Sequence, residues 1–389
     1  MGKFGKKNHV KLDPLAYSIC LLGESKVGKT TLIKEVCQKL AGDDGYMFLE
    51  IDKEHGADAI EGIEYEDVVS WDEPDRDIDP DTGEEIVNGV GFMEVVEDII
   101  ENKVSDYPKL KVIVIDTYDQ IIPLAEQKVV SMWNKKNPDK RVDTINAAFG
   151  GFGKGEKEAM KIMFDSFEAL RRVGVQTIII GHTKNKDVHD PVTGESYQVL
   201  TSDQQQNYFN ALKKNIHFLG LAYIDREIVK EKTGTNKVTK KDEYKSVVKN
   251  EARKVKFRDD NYAVDSGSRF AEIVPEIPLD ADAFIKAITD AIKAEQSKSG
   301  VSLKDTEKEQ EEEEAKRLKV IAEKEKVNRT KKELDKNISI VVSFINENKS
   351  NVDKFLPIIE KVKEFGYASG NPTEVTDVKQ AEKLAKMCK

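Results

Sequence analysis

Apolar positions follow two rhythms along this chain, and the rhythms take turns. Short continuous apolar runs, Tyr17 to Leu22, Met47 to Ile51, Lys111 to Ile115, Gln176 to Gly181 and Ile216 to Ile224, have the length and β-branched content of buried strands. Between them, apolar residues recur every three or four positions over Thr31 to Leu40, Gly91 to Asn102, Ile121 to Trp133, Glu158 to Val173 and Gln204 to Lys214, which predicts helices. Asp280 reads as the N-cap of a further helix with Phe284, Ile288 and Ile292 on one side. Strands alternating with helices predict an α/β fold around a mainly parallel central sheet.

The rhythm then stops. Residues 295 to 333 are dense in charge, Glu311 to Glu314 included, and Leu334 to Ile345, Val352 to Phe365 and Asp377 to Met387 resume helical spacing. Four parts are expected: a basic N-terminal arm at 1–16, an α/β core at 17–294, a charged helical linker at 295–333 and a small helical module at 334–389. Asp143 to Lys157 carries Gly150, Gly151, Gly153 and Gly155 and reads as a flexible loop. Asp79-Pro80-Asp81-Thr82-Gly83-Glu84 and Asp190-Pro191-Val192-Thr193-Gly194-Glu195 share one turn chemistry, Pro after Asp and a Gly free to take positive φ, and each reads as a hairpin tip. A calcium loop over Asp75, Asp77, Asp79 and Asp81 is excluded, because Pro80 and Ile86 stand where it needs Gly and Glu.

Composition changes this picture in one respect. The net charge of −10 is uneven: residues 43–101 hold 22 acidic side chains against Lys53 and Arg76 alone, so the remainder is basic on balance. An acidic protein with segregated charge can still carry a basic surface for nucleic acid. No run of eighteen apolar residues predicts a membrane span, and the start of the chain lacks the apolar stretch of a secretory signal. Cys20, Cys37 and Cys388 lack metal-like spacing and read as thiols in a reducing cytoplasm.

The strongest chemical signal is Gly23-Glu24-Ser25-Lys26-Val27-Gly28-Lys29-Thr30-Thr31, which follows the first apolar run and opens the first helix. The spacing is that of a phosphate-binding loop. Gly23 and Gly28 permit the tight turn that aims successive N–H groups at phosphate oxygens, and the helix start adds its positive end. Lys29 is placed for the β- and γ-phosphates of ATP, and Thr30 carries a hydroxyl for Mg²⁺. Asp116, closing the run Lys111 to Ile115, is the candidate acid for the metal, with Thr117 beside it.

Two further segments carry a family resemblance. Phe48-Leu49-Glu50-Ile51-Asp52-Lys53-Glu54-His55-Gly56-Ala57-Asp58 resembles the segment bearing the catalytic glutamate of RecA-type recombinases, and His182-Thr183-Lys184 closes a strand where RecA-like ATPases put a polar γ-phosphate contact. With the phosphate loop and Asp116 these cover about residues 15 to 275, and the chain resembles the RecA-like P-loop ATPases of bacteriophages, a group that includes single-strand annealing and recombination proteins. The resemblance implies ATP and Mg²⁺ as cofactors, Glu54 polarising the attacking water, His182 or Thr183 sensing the γ-phosphate, single-stranded DNA and a homo-oligomeric ring or filament as partners, and a host-cytoplasm location. A single-strand binding or replication protein is a further expected partner, and no membrane is expected. The recombinase DNA loops and the C-terminal helices fall outside the resemblance.

Nucleic acid has two candidate contacts: the segment from His182 to Leu200 with Lys184, Lys186, His189 and Tyr197, and the basic run Arg253, Lys254, Lys256 and Arg258, with Arg269. Tyr208, Phe257 and Tyr262 are aromatic neighbours in sequence. Arg253, Arg258 or Arg269 fits equally an arginine finger toward a neighbouring subunit. The competing expectation is a nucleotide-dependent scaffold that binds proteins without touching DNA.

Overall fold

The computed structural model describes residues 9–52, 56–74, 76–78, 85–86, 88–189, 193–235, 242–258 and 264–388. In chain order these form β1 (Ile19–Gly23), α1 (Lys29–Ala41), β2 (Tyr46–Ile51), β3 (Tyr65–Ser70), β4 (Asp77–Ile78), β5 (Glu85–Ile86), β6 (Val90–Gly91), α2 (Phe92–Glu101) and β7 (Val112–Asp116). Next come α3 (Tyr118–Lys136), α4 (Lys154–Arg172), β8 (Gln176–His189), β9 (Ser196–Ser202), α5 (Gln206–Asn215), β10 (Phe218–Thr235), β11 (Asp242–Lys256), β12 (Gly267–Ser268) and β13 (Glu276–Pro278). The chain closes with α6 (Ala281–Ser297), α7 (Leu303–Glu347), α8 (Val352–Glu364) and α9 (Val378–Lys386).

The main sheet runs in the order β13-β11-β10-β1-β8-β7-β2-β3-β6. Every pair from β10 to β6 is parallel, while β11 and β13 add antiparallel pairs at one edge. One strand, β8, thus stands between the phosphate-loop strand and the strand ending in Asp116. Strand alternation builds two cores, one per face. Ile19, Leu21, Phe48, Val112, Val114, Ile178 and Ile180 pack with α1 and α6. Cys20, Leu22, Leu49, Ile113, Ile115 and Ile179 pack under α2, α3, α4 and α5 on the other face. The expected cap of α6 is present, Asp280 accepting from Ala283 N at 2.9 Å, and Phe284, Ile288 and Ile292 are buried. Cys20 and Cys37 are buried free thiols, and burial pushes both up, so neither is reactive.

Several expected boundaries move. The strands expected at 176–181 and 216–224 do not stop at the sheet. β8 continues to His189 and pairs with β9, and β10 continues to Thr235 and pairs with β11. Pairing to a neighbouring strand keeps these polar extensions in β form where apolar periodicity alone ends. β3 and β6 escaped the sequence reading because β3 is a largely exposed strand of acidic and β-branched residues near the sheet edge. The Gly-rich segment expected to be a loop holds a 3₁₀ turn at Ile145–Gly150 and the start of α4 at Lys154. In the arm, Pro14–Ala16 forms a 3₁₀ turn with Pro14 and Leu15 buried, whereas residues 1–8 lie outside the described residues. Of the two Asp-Pro turn tips, residues 79–84 lie outside the described residues, as do 190–192 of the second; the strands flanking the first, β4 and β5, pair as a two-stranded ribbon.

By contact the chain divides into residues 1–100 with 107–313, and residues 101–106 with 314–389. The boundary expected at 333–334 is not a break, because α7 runs unbroken from Leu303 to Glu347. In the second unit Val341, Ile358, Val362, Val375, Ala381 and Leu384 form a core among α7, α8 and α9. The buried Glu325 there accepts from Val104 N at 2.9 Å and from Ser105 N at 3.2 Å. Among the described residues no helix is long and apolar enough to cross a membrane.

Candidate nucleotide site

The site begins where β1 ends. Lys26 and Gly28 take positive φ, 64° and 105°, and this turns the chain from strand to helix within five residues. Gly23 is needed for a second reason. A Cβ there would lie 2.6 Å from the carbonyl oxygen of Ala222, its register partner on β10. Val27 is fully buried and pins the loop's middle, while Ser25 and Lys26 are exposed and Glu24 is half-buried. Lys29 is buried at 6% exposure, its Nζ donating to the carbonyls of Gly23 (3.1 Å) and Glu24 (3.0 Å). Gly28 caps α1 without a side-chain bond, so the first-turn amides point into the loop with no side-chain oxygen upon them. Thr31, the last residue of the motif, is exposed on α1.

Register assembles the acids. Glu50 on β2 and Asp116 on β7 are cross-strand partners. Each alternates with residues packed on the α1 face (Phe48 for Glu50, Val114 for Asp116), so both carboxylates turn toward that helix. Thr30 Oγ1 donates to Asp116 Oδ2 at 2.8 Å, joining α1 to β7. Asp116 is 4% exposed and Glu50 is 3% exposed. Glu50 Oε1 accepts from Ala57 N at 2.5 Å, and Oε2 has no hydrogen-bond partner. Burial first, and the charge of Asp116 after it, hold the Glu50 carboxyl above the usual carboxylate range; the Ala57 bond opposes them. A Cβ on Gly56 would lie 3.6 Å from Glu50 Oε1, 3.6 Å from Thr30 Oγ1 and 3.9 Å from Asp116 Oδ2. Three oxygens from three elements thus converge beside the glycine. Glu54 and His55 lie outside the described residues.

The third strand end belongs to β8. His182 is the register partner of Gly23, which sets it beside the phosphate loop. Asp119, in the first turn of α3, accepts from His182 N (2.7 Å) and Gln204 Nε2 (2.7 Å), and its Oδ2 is 2.9 Å from His182 Nδ1. A carboxylate beside Nδ1 favours the proton on that nitrogen and fixes the ring's orientation. Asp119 and Gln204 are functional candidates that sequence reasoning missed, as is Glu50. The side-chain oxygens of Thr117 and Thr183 are buried without partners at these same strand ends. Buried polar atoms without partners call for an explanation, and a polar ligand at these strand ends would supply one.

The structure does not gather the seven nucleic-acid candidates. Lys184, Lys186 and Tyr197 share one face of the β8–β9 hairpin, since Lys186 opposes Val199 and Val188 opposes Tyr197. Lys184 Nζ lies 2.7 Å from the Asp203 carbonyl and 3.3 Å from its carboxylate Oδ1, an exposed pair, and Lys186 Nζ lies 3.3 Å from Gln206 Oε1. The other four lie on β11 or just past its end, with β1 and β10 between them and β8. Lys254 is paired with Asp225 and Glu276 at 2.8 Å each, and Lys256 with Glu276 at 3.8 Å. The basic face expected there is therefore largely neutralised. Arg253 has the opposite parity. It alternates with the buried Val255 and Phe257, and its Nη1 comes within 3.8 Å of a Cβ placed on Gly28. This arginine stands beside its own chain's phosphate loop. Arg258 lies 3.4 Å from the Ala271 carbonyl, and Arg269 bonds the carbonyls of Ile216 and Lys214. Tyr262 lies outside the described residues.

The residues present fit Mg²⁺ and a nucleotide: a buried lysine in a glycine-hinged loop, a hydroxyl and a carboxylate in contact, and an unpartnered carboxylate oxygen beside them. Among the described residues no group of three or more His, Cys, Asp or Glu side chains could hold a metal alone. Mg²⁺ keeps waters and takes one or two carboxylates together with phosphate oxygens. A family model described as an AAA domain matches residues 15–257. A crystal structure of a KaiC-like protein from the hyperthermophilic archaeon Pyrococcus horikoshii is similar at 13% identity and a TM-score of 0.27, over 64% of this chain and 94% of that one. No curated protein matches.

Proposed function

The chain belongs to the AAA domain family, and on that premise we propose that its ATP cycle acts on single-stranded DNA, in phage recombination or replication, within a homo-oligomeric ring or filament. The family makes the coarser statement: the protein is a P-loop ATPase that binds and hydrolyses nucleotide. In the proposed assignment the loop amides and Lys29 bind the phosphates, and Thr30 and Asp116 hold Mg²⁺. Mg²⁺ bound there supplies neutralising charge to the β- and γ-phosphates. Glu54 orients the attacking water, and His182 faces the γ-phosphate.

One observation carries the DNA reading. The hairpin that starts at His182 sets Lys184, Lys186 and Tyr197 on one face, cations for backbone phosphates with a 43%-exposed aromatic ring for stacking. Asp119 holds the residues at both ends of that hairpin, His182 and Gln204, so a change at the phosphate position is felt at its root.

The test is the ATP hydrolysis rate with and without single-stranded DNA across a salt series, with Lys29→Ala as control. The expected result is stimulation that fades steeply with salt and is lost in Lys184→Ala/Lys186→Ala. Indifference to DNA at every salt concentration favours the scaffold reading instead. Hydrolysis surviving in Lys29→Ala refutes the site.

A further inference from the structure

The buried Glu50 carboxylate is explained neither by the phosphate loop motif nor by the turn that it holds. Its Oε1 accepts from Ala57 N–H, the first amide of the short 3₁₀ turn at Ala57–Ala59. Its Oε2 is buried and unbonded in a residue only 3% exposed. Folded proteins rarely bury a carboxylate oxygen without a polar group to meet it. The place to which this side chain turns already holds the Thr30 hydroxyl and the Asp116 carboxylate.

We propose that Glu50 is a second acid of the Mg²⁺ site, its Oε2 holding a water of the bound metal while Oε1 keeps the 56–59 turn against β2. The inference rests on the reading of Thr30 and Asp116 as the Mg²⁺–nucleotide site. Backbone pairing supports a holding role. Glu50 is paired on both sides, with Asp67 on β3 and Asp116 on β7, so its Cα is fixed and the side chain has little reach. Proton abstraction needs a group that meets the nucleophile as it attacks; orienting a metal's water needs one that stays still. Two carboxylates on adjacent strands beside one hydroxyl also match the one or two acids that Mg²⁺ takes.

Glu50→Gln is the discriminating variant, because the amide keeps an oxygen for Ala57 N–H and changes only the charge and the second atom. The measurement is binding of a fluorescent ADP analogue to the full chain as free Mg²⁺ is varied, with an EDTA arm. The expected outcome is unchanged affinity in EDTA and a Mg²⁺ half-saturation raised about tenfold or more, the usual cost of removing a group that orients a metal's ligands. A half-saturation within about twofold of wild type, well short of that cost, overturns the proposal and leaves Glu50 as a turn clamp. Thermal unfolding in EDTA guards against misfolding. Should Glu50→Gln melt below wild type, Glu50→Asp, which keeps the charge, must lie closer to wild type in half-saturation than the glutamine variant does, and equality of the two overturns the proposal. Wild-type protein without Mg²⁺-dependent binding refutes the reading of the whole site, whereas a Mg²⁺-dependent wild type matched by Glu50→Gln refutes only the role of Glu50.

Discussion

Replacing Asp119 by asparagine tests whether this carboxylate ties the β8–β9 hairpin to the nucleotide site. Asp119 accepts from His182 N, His182 Nδ1 and Gln204 Nε2, at 2.7, 2.9 and 2.7 Å, and its side chain is 11% exposed. Hydrogen bonds to a charged group are worth about 1.5–3 kcal/mol each, roughly twice the neutral kind. The side-chain amide of the Asp119→Asn variant retains an oxygen for His182 and turns its NH₂ toward Gln204, whose own amide can flip to accept. All three contacts survive, each without its charge, so the loss is on the order of 2–4 kcal/mol. If the loss is local, hydrogen exchange across 183–202 accelerates roughly 30- to 700-fold, at about 1.4 kcal/mol per decade. Exchange in α1 should stay near wild type. The assay is exchange mass spectrometry on the full chain, with Asp119→Ala as the harsher partner, since it removes the acceptor of all three contacts. Unchanged exchange over 183–202 refutes the clamp. So does acceleration by one common factor everywhere, which would make Asp119 a general core group.

Two other outcomes are expected. Gly23→Ala puts a Cβ 2.6 Å from the Ala222 carbonyl and 3.0 Å from its Cβ, so β10 must shift from β1; the cost is about 1–3 kcal/mol in urea unfolding with weaker nucleotide binding, and wild-type values for both would refute the close-approach role. His217 accepts from Ser18 N at 3.2 Å, and burial, with Arg269 next, lowers its pKa from 6.5 to about 4. The folded state therefore disfavours the imidazolium: stability is full above pH 6.5 and is lost as pH falls toward 4. Between about pH 7.5 and 4.5 the wild type should lose about 2–3 kcal/mol more than His217→Asn in urea unfolding, and parallel pH profiles would refute the assignment.

What could be read from the residues alone was what lies close together in the chain. Gly23 to Thr30 announces itself because loop, lysine and helix start sit in consecutive positions, and Asp116 ends a run whose β-branched residues mark a strand. Glu50 and Asp119 were illegible for the opposite reason. Glu50 becomes a site residue only through its register with Asp116, far along the chain, and Asp119 only through His182 and Gln204. Charge pattern misled where a partner arrives from elsewhere: Lys254 and Lys256 read as an open basic face until Glu276 on β13 lies against them. The same limit made residues 295–333 look like a linker, since a charge-rich helix carries little apolar periodicity whether it ends or runs on.

The two long hairpins give the phosphate loop a mechanical setting. The strands on either side of β1 are β8 and β10, and both continue past it as ribbons. Each is joined to β1 by five consecutive parallel register pairs, Ile19 to Gly23. A ligand that pulls a ribbon along its strand loads these rungs together in shear instead of peeling them one by one. The tension is delivered at the end of β1, where Gly23 opens the loop. The two ribbons differ as levers: β8–β9 keeps one register from Thr183 to His189, whereas β10–β11 slips register at Glu227/Ile228 and at Lys232/Gly234, so load along β8 should reach the loop with less give.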